Sequence, residues 1–199
     1  RPLWSDFDQP LSTTLGIQSQ LPVLLTEYAF YDKEDVEHYL TLLSDIDRYF
    51  EQILAFEKER SAAGLFMTDT CADEIISQAQ PYLLSAEHNL MGTEFNAKID
   101  AMEGLNAEEK KAFKEQNQQV VTEHFIPAYK ALLEGLEALK GTGTNAEGIC
   151  QFPDGKLYYQ YLVDSSIGPT YQTMDDLQKA IEDQIDDSLS AMSQIMKQN

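Results

Sequence analysis

The sequence predicts an all-α protein: a bundle of amphipathic helices, several kinked or broken at proline, with one long loop at about 141–155. Three observations carry this. Apolar residues recur every three or four positions along most of the chain. Ser, Thr, Asp and Asn stand where helices begin. No stretch alternates apolar and polar residues with the period of two that a half-buried strand needs.

The elements follow in order. The segment SQLPVLLTEYAFY forms a helix around residues 18–30. In 34–60 the positions Val36, Tyr39, Leu40, Leu43, Ile46, Phe50, Ile53 and Leu54 make one apolar face. Asp32 and Asp35 begin it, Ser44-Asp45 offers a point at which it could divide into two helices, and Gly64 is a candidate stop. A further helix starts at Thr68 or Thr70, carries Ile75, Ile76, Ala79 and Leu83, and is kinked or ended by Pro81. Phe95 and Ile99 mark a short helix. Asn106, with Glu109 three residues on, is a capping box that opens a long helix striped by Phe113, Val120, Val121, Tyr129, Leu132, Leu133, Leu136 and Leu139. Pro127 is expected to kink or break it, and Lys140-Gly141 closes it. The last helix starts at Thr173 and stripes Met174, Leu177, Ile181, Ile185, Leu189, Met192 and Met196. Residues 1–199 read as a single helical domain, with no repeat period of the kind that builds a solenoid.

Composition narrows the function classes. The chain carries 34 acidic and 14 basic residues, a formal net charge of -20. Polyanionic nucleic acid and an anionic membrane surface both repel such a chain, so no nucleic-acid partner is expected. No apolar run reaches the roughly 18 residues of a membrane span, and no signal peptide is read. The sequence begins at Arg1 rather than Met, which implies that something upstream is missing. Two cysteines, Cys71 and Cys150, are too few for a disulfide framework; one bridge and two free thiols both remain open.

Motifs for chemistry are sparse. Each histidine follows a glutamate, at Glu37-His38, Glu87-His88 and Glu123-His124. Adjacent helical residues point about 100° apart, so such a dipeptide does not clamp a metal. A helical zinc pair needs i, i+4 spacing as in H-E-x-x-H, and that motif is absent. Glu34 and His38 do stand at i, i+4, a spacing that suits a solvated surface pair. Gly141, Gly143 and Gly148 follow a helix rather than a strand and do not match a phosphate loop. No G-x-S-x-G elbow gives any serine a nucleophile context. Cys71 has no histidine beside it in sequence.

The stretch FPDGKLYYQYLV remains. Tyr158, Tyr161 and Leu162 share one face of its short helix, and Tyr159 and Val163 share another. A helix apolar on more than one side is buried or lines a cleft. Tyrosine suits both settings, because it pairs a large apolar ring with a polar tip.

Taken together, QPLSTTLGIQSQLPVLLTEY, DVEHYLTLLSDIDRYFEQILAFEKERSAAGLFM, IPAYKALLEGLEALKGTG and FPDGKLYYQYLV, in that order, resemble a bacterial family, domain of unknown function 885. The matching pieces are Gly16, Tyr39-Leu40, Ala63-Gly64, Pro127-Ala128-Tyr129, and Pro153-Gly155-Tyr158-Tyr159. The resemblance implies a mostly helical protein related to zincin-like metallopeptidases and usually much longer than this chain. Its zinc motif lies C-terminal to the matched region, so no metal ligand or catalytic residue carries over to any position here. The resemblance therefore implies the non-catalytic N-terminal portion of a zinc-dependent peptidase, inactive alone. The same resemblance implies that zinc is held in a C-terminal catalytic portion, the expected partner of this chain. On this resemblance the chain would form one wall of a cleft for a peptide substrate, with Tyr158 and Tyr159 expected to line it. Sequences with the LSTTLGIQSQLPVLL segment resemble extracytoplasmic lipoproteins, which implies the cell envelope. The alternative is a self-contained acidic helical binding or scaffold domain of the envelope.

Overall fold

A computed structural model describes residues 4–143, 148–167 and 173–198. Residues 144–147 of the expected loop, and Arg1, lie outside that set. Among the described residues the regular structure is helical and no strand forms. The helices are α1 (Ile17–Glu27), α2 (Lys33–Ser44), α3 (Ile46–Ala62), α4 (Asp69–Ala79), α5 (Leu90–Ala101), α6 (Ala107–Val120), α7 (Ile126–Leu139), α8 (Gly155–Ile167) and α9 (Met174–Gln198). The chain divides into two compact units, residues 1–146 and 147–199, with the boundary in the segment read from sequence as the long loop.

Local chemistry sets the ends of the helices. Asp32 accepts from the Asp35 backbone N–H while the Asp35 carboxylate accepts from the Asp32 N–H, a complete capping box for α2. Asn106 and Glu109 do the same for α6. Thr68 caps α4 through the Cys71 N–H. The 34–60 stripe divides at Asp45 into α2 and α3, and Gly64, at φ 73°, supplies the left-handed residue after α3. Pro81 ends α4 in a single 3₁₀ turn.

Pro127 acts differently from a helix breaker. Its missing N–H falls where the ladder changes register: Val121–Phe125 form a π-turn, and the Ile126 N–H donates to the Val121 carbonyl five residues back. The wider turn absorbs the proline without interrupting the helical path from α6 to α7.

Pro22 lies inside α1 and is buried. Having no N–H, it leaves the Gln18 carbonyl without its intrahelical donor. The Tyr129 hydroxyl of α7 donates to that carbonyl at 2.8 Å, across 111 positions of sequence. A defect in one helix thus becomes a tie to another.

The core of the first unit forms around that tie. The Tyr129 ring lies 4.8 Å from each of the Phe50, Tyr82 and Phe125 rings. A second aromatic group joins Tyr28, Phe30, Tyr39 and Phe95, with Tyr39 stacked on Phe95 at 5.4 Å. Helix α3 packs on α7, α4 on α7, and α5 on α6. Gly135 lets α3 approach α7, because a Cβ there would meet Leu54 Cδ1 at 2.4 Å. Among the described residues of this unit one ion pair is buried: Arg60 Nη1 donates to both Glu57 carboxylate oxygens at 2.9 and 3.0 Å. Burial pushes the Glu57 carboxyl up, against the opposing pull of Arg60.

Candidate functional site

The tyrosine segment opens on a turn that its sequence dictates. Pro153 and Asp154 occupy the two central positions between Phe152 and Gly155, and the Gly155 N–H donates to the Phe152 carbonyl at 2.9 Å. Asp154 takes φ 57°, so the turn has proline second and a left-handed residue third. Gly155 follows because any Cβ there would meet the Ile149 carbonyl oxygen at 1.8 Å. Helix α8 then starts with the Tyr158 N–H donating to the Asp154 carbonyl.

None of the three tyrosines is buried. Tyr158 is half-buried, while Tyr159 and Tyr161 are 51% and 48% exposed. The Tyr158 and Tyr161 rings stack at 6.3 Å with 26° between their planes. The interior role that the pattern also allowed is not what these rings have in this chain. Helix α8 presents aromatic surface with hydroxyl tips.

Helix α9 belongs to the same unit and runs for 25 residues. Leu177 is buried, but Ile181, Ile185, Leu189, Met192 and Met196 are 51–77% exposed. From Met174 to Met196 the apolar steps are 3, 4, 4, 4, 3 and 4 residues, close to the helical repeat, so they form one straight stripe. Contiguous exposed apolar surface on the order of several hundred Å² is a common feature of interaction sites.

Two depressions of the first unit stand out among the several that its described residues form. One is an apolar groove of about 390 Å³ between α1 and the α2–α3 corner, lined by Leu21, Leu24, Leu25, Leu42, Ile46 and Tyr49. Asp45 and Arg48, paired at 3.3 Å, stand on its edge. The other is a polar cleft of about 410 Å³ between α5 and α6. Sequence reading found neither. Their residues come from separate helices, and only packing brings them together.

The histidines settle into structural roles. His38 Nε2 stands 3.8 Å from Glu34 Oε1, both well exposed, as the i, i+4 spacing suggests for a surface pair. His88 Nδ1 lies 3.0 Å from the Ser85 hydroxyl. His124, in the π-turn, places Nδ1 at 2.8 Å from Asp47 Oδ2 on α3, and that hydrogen bond holds the Asp47 carboxyl below the usual carboxylate range. Cys71 and Cys150 are not bridged; Cys71 is half-buried and Cys150 exposed. Gly141 and Gly148 take positive φ, and Gly143 lies against the Met67 carbonyl, so these glycines answer backbone needs. Among the described residues no group of three His, Cys, Asp or Glu side chains converges. No described helix is long and apolar enough to cross a membrane.

These features define a helical protein whose exposed aromatic and apolar surfaces suit contact with another molecule. The chain belongs to the bacterial protein family of unknown function DUF885, whose model matches residues 6–199. Among solved structures, the crystal structure of a presumed lipoprotein from Colwellia psychrerythraea shares the fold, with a TM-score of 0.72 at 20% identity. That match covers 78% of this chain and 27% of the other. No curated protein matches the chain.

Proposed function

We propose that this chain is the non-catalytic helical portion of a longer zinc-dependent peptidase and forms one wall of its substrate cleft. Zinc and the groups that activate water belong to a C-terminal catalytic portion outside this chain. The exposed stripe of α9 carries the proposal: five large apolar side chains more than half exposed ask for a covering surface. Support also comes from the solved neighbour, in which this fold occupies 27% of the length. Tyr158 and Tyr159 line the cleft, where their rings hold a peptide by contact area and their hydroxyls reach its backbone. The whole protein sits outside the cytoplasm as a lipoprotein of the cell envelope.

The test uses the full natural protein. Zinc per chain is measured first, and about one ion is expected. Tyr158→Ala and Tyr159→Ala are then assayed on a fluorogenic peptide library. Each is expected to lower kcat/KM by about tenfold, equivalent to about 1.4 kcal/mol, with zinc content unchanged. A full-length protein that binds no zinc and cleaves no peptide would leave the alternative, an acidic helical binding or scaffold domain. That alternative draws on the first unit, whose aromatic core closes within residues 1–146.

A further inference from the structure

The cleft between α5 and α6 holds an unusual combination of groups. Asn96 and Asn117 both line it, and each has a buried Oδ1 that no donor in the protein reaches. Asn117 is 1% exposed. Its orientation is fixed, because Nδ2 donates to the Met91 carbonyl at 3.1 Å and exchanging the amide atoms would set two acceptors face to face. The orphaned atom is therefore an acceptor. A buried acceptor without a donor costs about 1–3 kcal/mol, so two on one cleft point to an occupant that brings N–H or O–H groups. The Asn96 carboxamide torsion is soft, so a donor in the cleft can draw its oxygen outward, whereas Asn117 can make only the small adjustment that keeps its Nδ2 bond to Met91.

The charges narrow the occupant further. Three lysines, Lys110, Lys111 and Lys114, and three acids, Glu87, Asp100 and Glu115, line the cleft. Lys114 pairs with Asp100 at 2.6 Å, and Lys111 with Glu115 at 3.7 Å. Lys110 instead rests on a neutral acceptor, the Asp100 main-chain carbonyl at 2.8 Å, so its charge stands ready for an anion. Sulfate would bring only further acceptors to the asparagine oxygens, and the hydrogen phosphate dianion one O–H for two of them. An apolar ligand would leave them unpaired. A neutral saccharide would bring donors but nothing for Lys110.

The geometry points to a binding site for an α-amino acid or the C-terminal end of a short peptide. Its carboxylate meets Lys110 and its N–H groups meet Asn96 and Asn117. A cleft of about 410 Å³ holds either. This site lies on α5 and α6 and stands independently of the peptidase proposal.

Calorimetric titration of the purified protein with L-alanine, L-alanyl-L-alanine and the C-amidated dipeptide tests it. Saturable binding of at least one free acid is expected, with Kd in about the millimolar range. Binding of L-alanine alone assigns the site to free amino acids; binding of the dipeptide alone assigns it to peptide C-termini. The amidated probe, Lys110→Gln and Asn96→Ala are each expected to weaken binding about tenfold or more, with the helical circular dichroism unchanged. Lys110 is only half-buried, so its variant keeps the fold. No saturable binding of either free acid would overturn the proposal. So would equal affinity for the amidated and free dipeptides, or an unaltered Lys110→Gln.

Discussion

Replacing Tyr129 by phenylalanine removes one oxygen and keeps the ring among Phe50, Tyr82 and Phe125. The lost atom is the donor to the Gln18 carbonyl, which Pro22 has already deprived of its helical partner. Residue 129 is fully buried, so the carbonyl is left unpaired away from water. That predicts a loss of about 1–3 kcal/mol, since a stranded buried acceptor forfeits its hydration as well as its bond. Pro22→Ala changes the outcome, because alanine at 22 restores an N–H aimed at the same carbonyl. In that background Tyr129→Phe should cost about 0.5 kcal/mol or less, a coupling of about 1–2 kcal/mol between two residues on different helices. Urea unfolding of the four proteins, followed by circular dichroism, measures the cycle from the midpoints at constant slope. An equal cost for Tyr129→Phe in both backgrounds would refute the account of Pro22 and show that the hydroxyl serves some other purpose.

Three further outcomes follow from the same geometry. Arg60→Met strands the buried Glu57 carboxyl and should cost about 3–5 kcal/mol at neutral pH; because desolvation raises the Glu57 pKa in the folded state, the penalty shrinks as pH falls and the group takes up a proton, and adding Glu57→Gln recovers much of it in thermal melts. His124→Ala removes the hydrogen bond that depresses the Asp47 pKa; that stabilisation is complete above the ordinary carboxylate pKa of about 3.9 and is lost as pH falls through the lower folded value, so wild type and variant should differ in Tm at neutral pH and converge in acid. Gly92→Ala would drive a Cβ to 1.9 Å from the Ala86 carbonyl oxygen, a backbone atom that must move, and is expected to lower stability by about 1–3 kcal/mol in denaturant titrations.

Much of the architecture could be read in advance because it is local. The capping pairs Asp32/Asp35 and Asn106/Glu109, the stop at Gly64 and the division at Asp45 each depend on residues within a few positions. Proline was harder. Pro81 ends its helix, as its chemistry suggests, but Pro22 and Pro127 lie within continuous helical runs. In each case distant or neighbouring backbone compensates: Tyr129 for Pro22, and a π-turn before Pro127. A sequence pattern reports the missing N–H and not what replaces it. The sites were harder still. Tyr158 and Tyr159 were legible as candidates from their density, yet the pattern fits buried and exposed helices alike. Asn96, Lys110 and Asn117 show no motif, because their meaning comes from the α5–α6 contact and from the donors their oxygens lack.

The proposal that this chain is one part of a larger protein turns most directly on whether something covers α9. Met192 and Met196 lie on its exposed stripe and serve as internal reporters. Their oxidation by dilute peroxide, followed by peptide mass spectrometry, can be compared between the 199-residue chain and the full natural protein. The account predicts rapid oxidation of both methionines in the short chain and at least about tenfold slower reaction in the full protein, where the catalytic portion covers the stripe. Equal rates in the two proteins would mean that nothing packs on α9, and would contradict the claim that this chain is one wall of a larger enzyme.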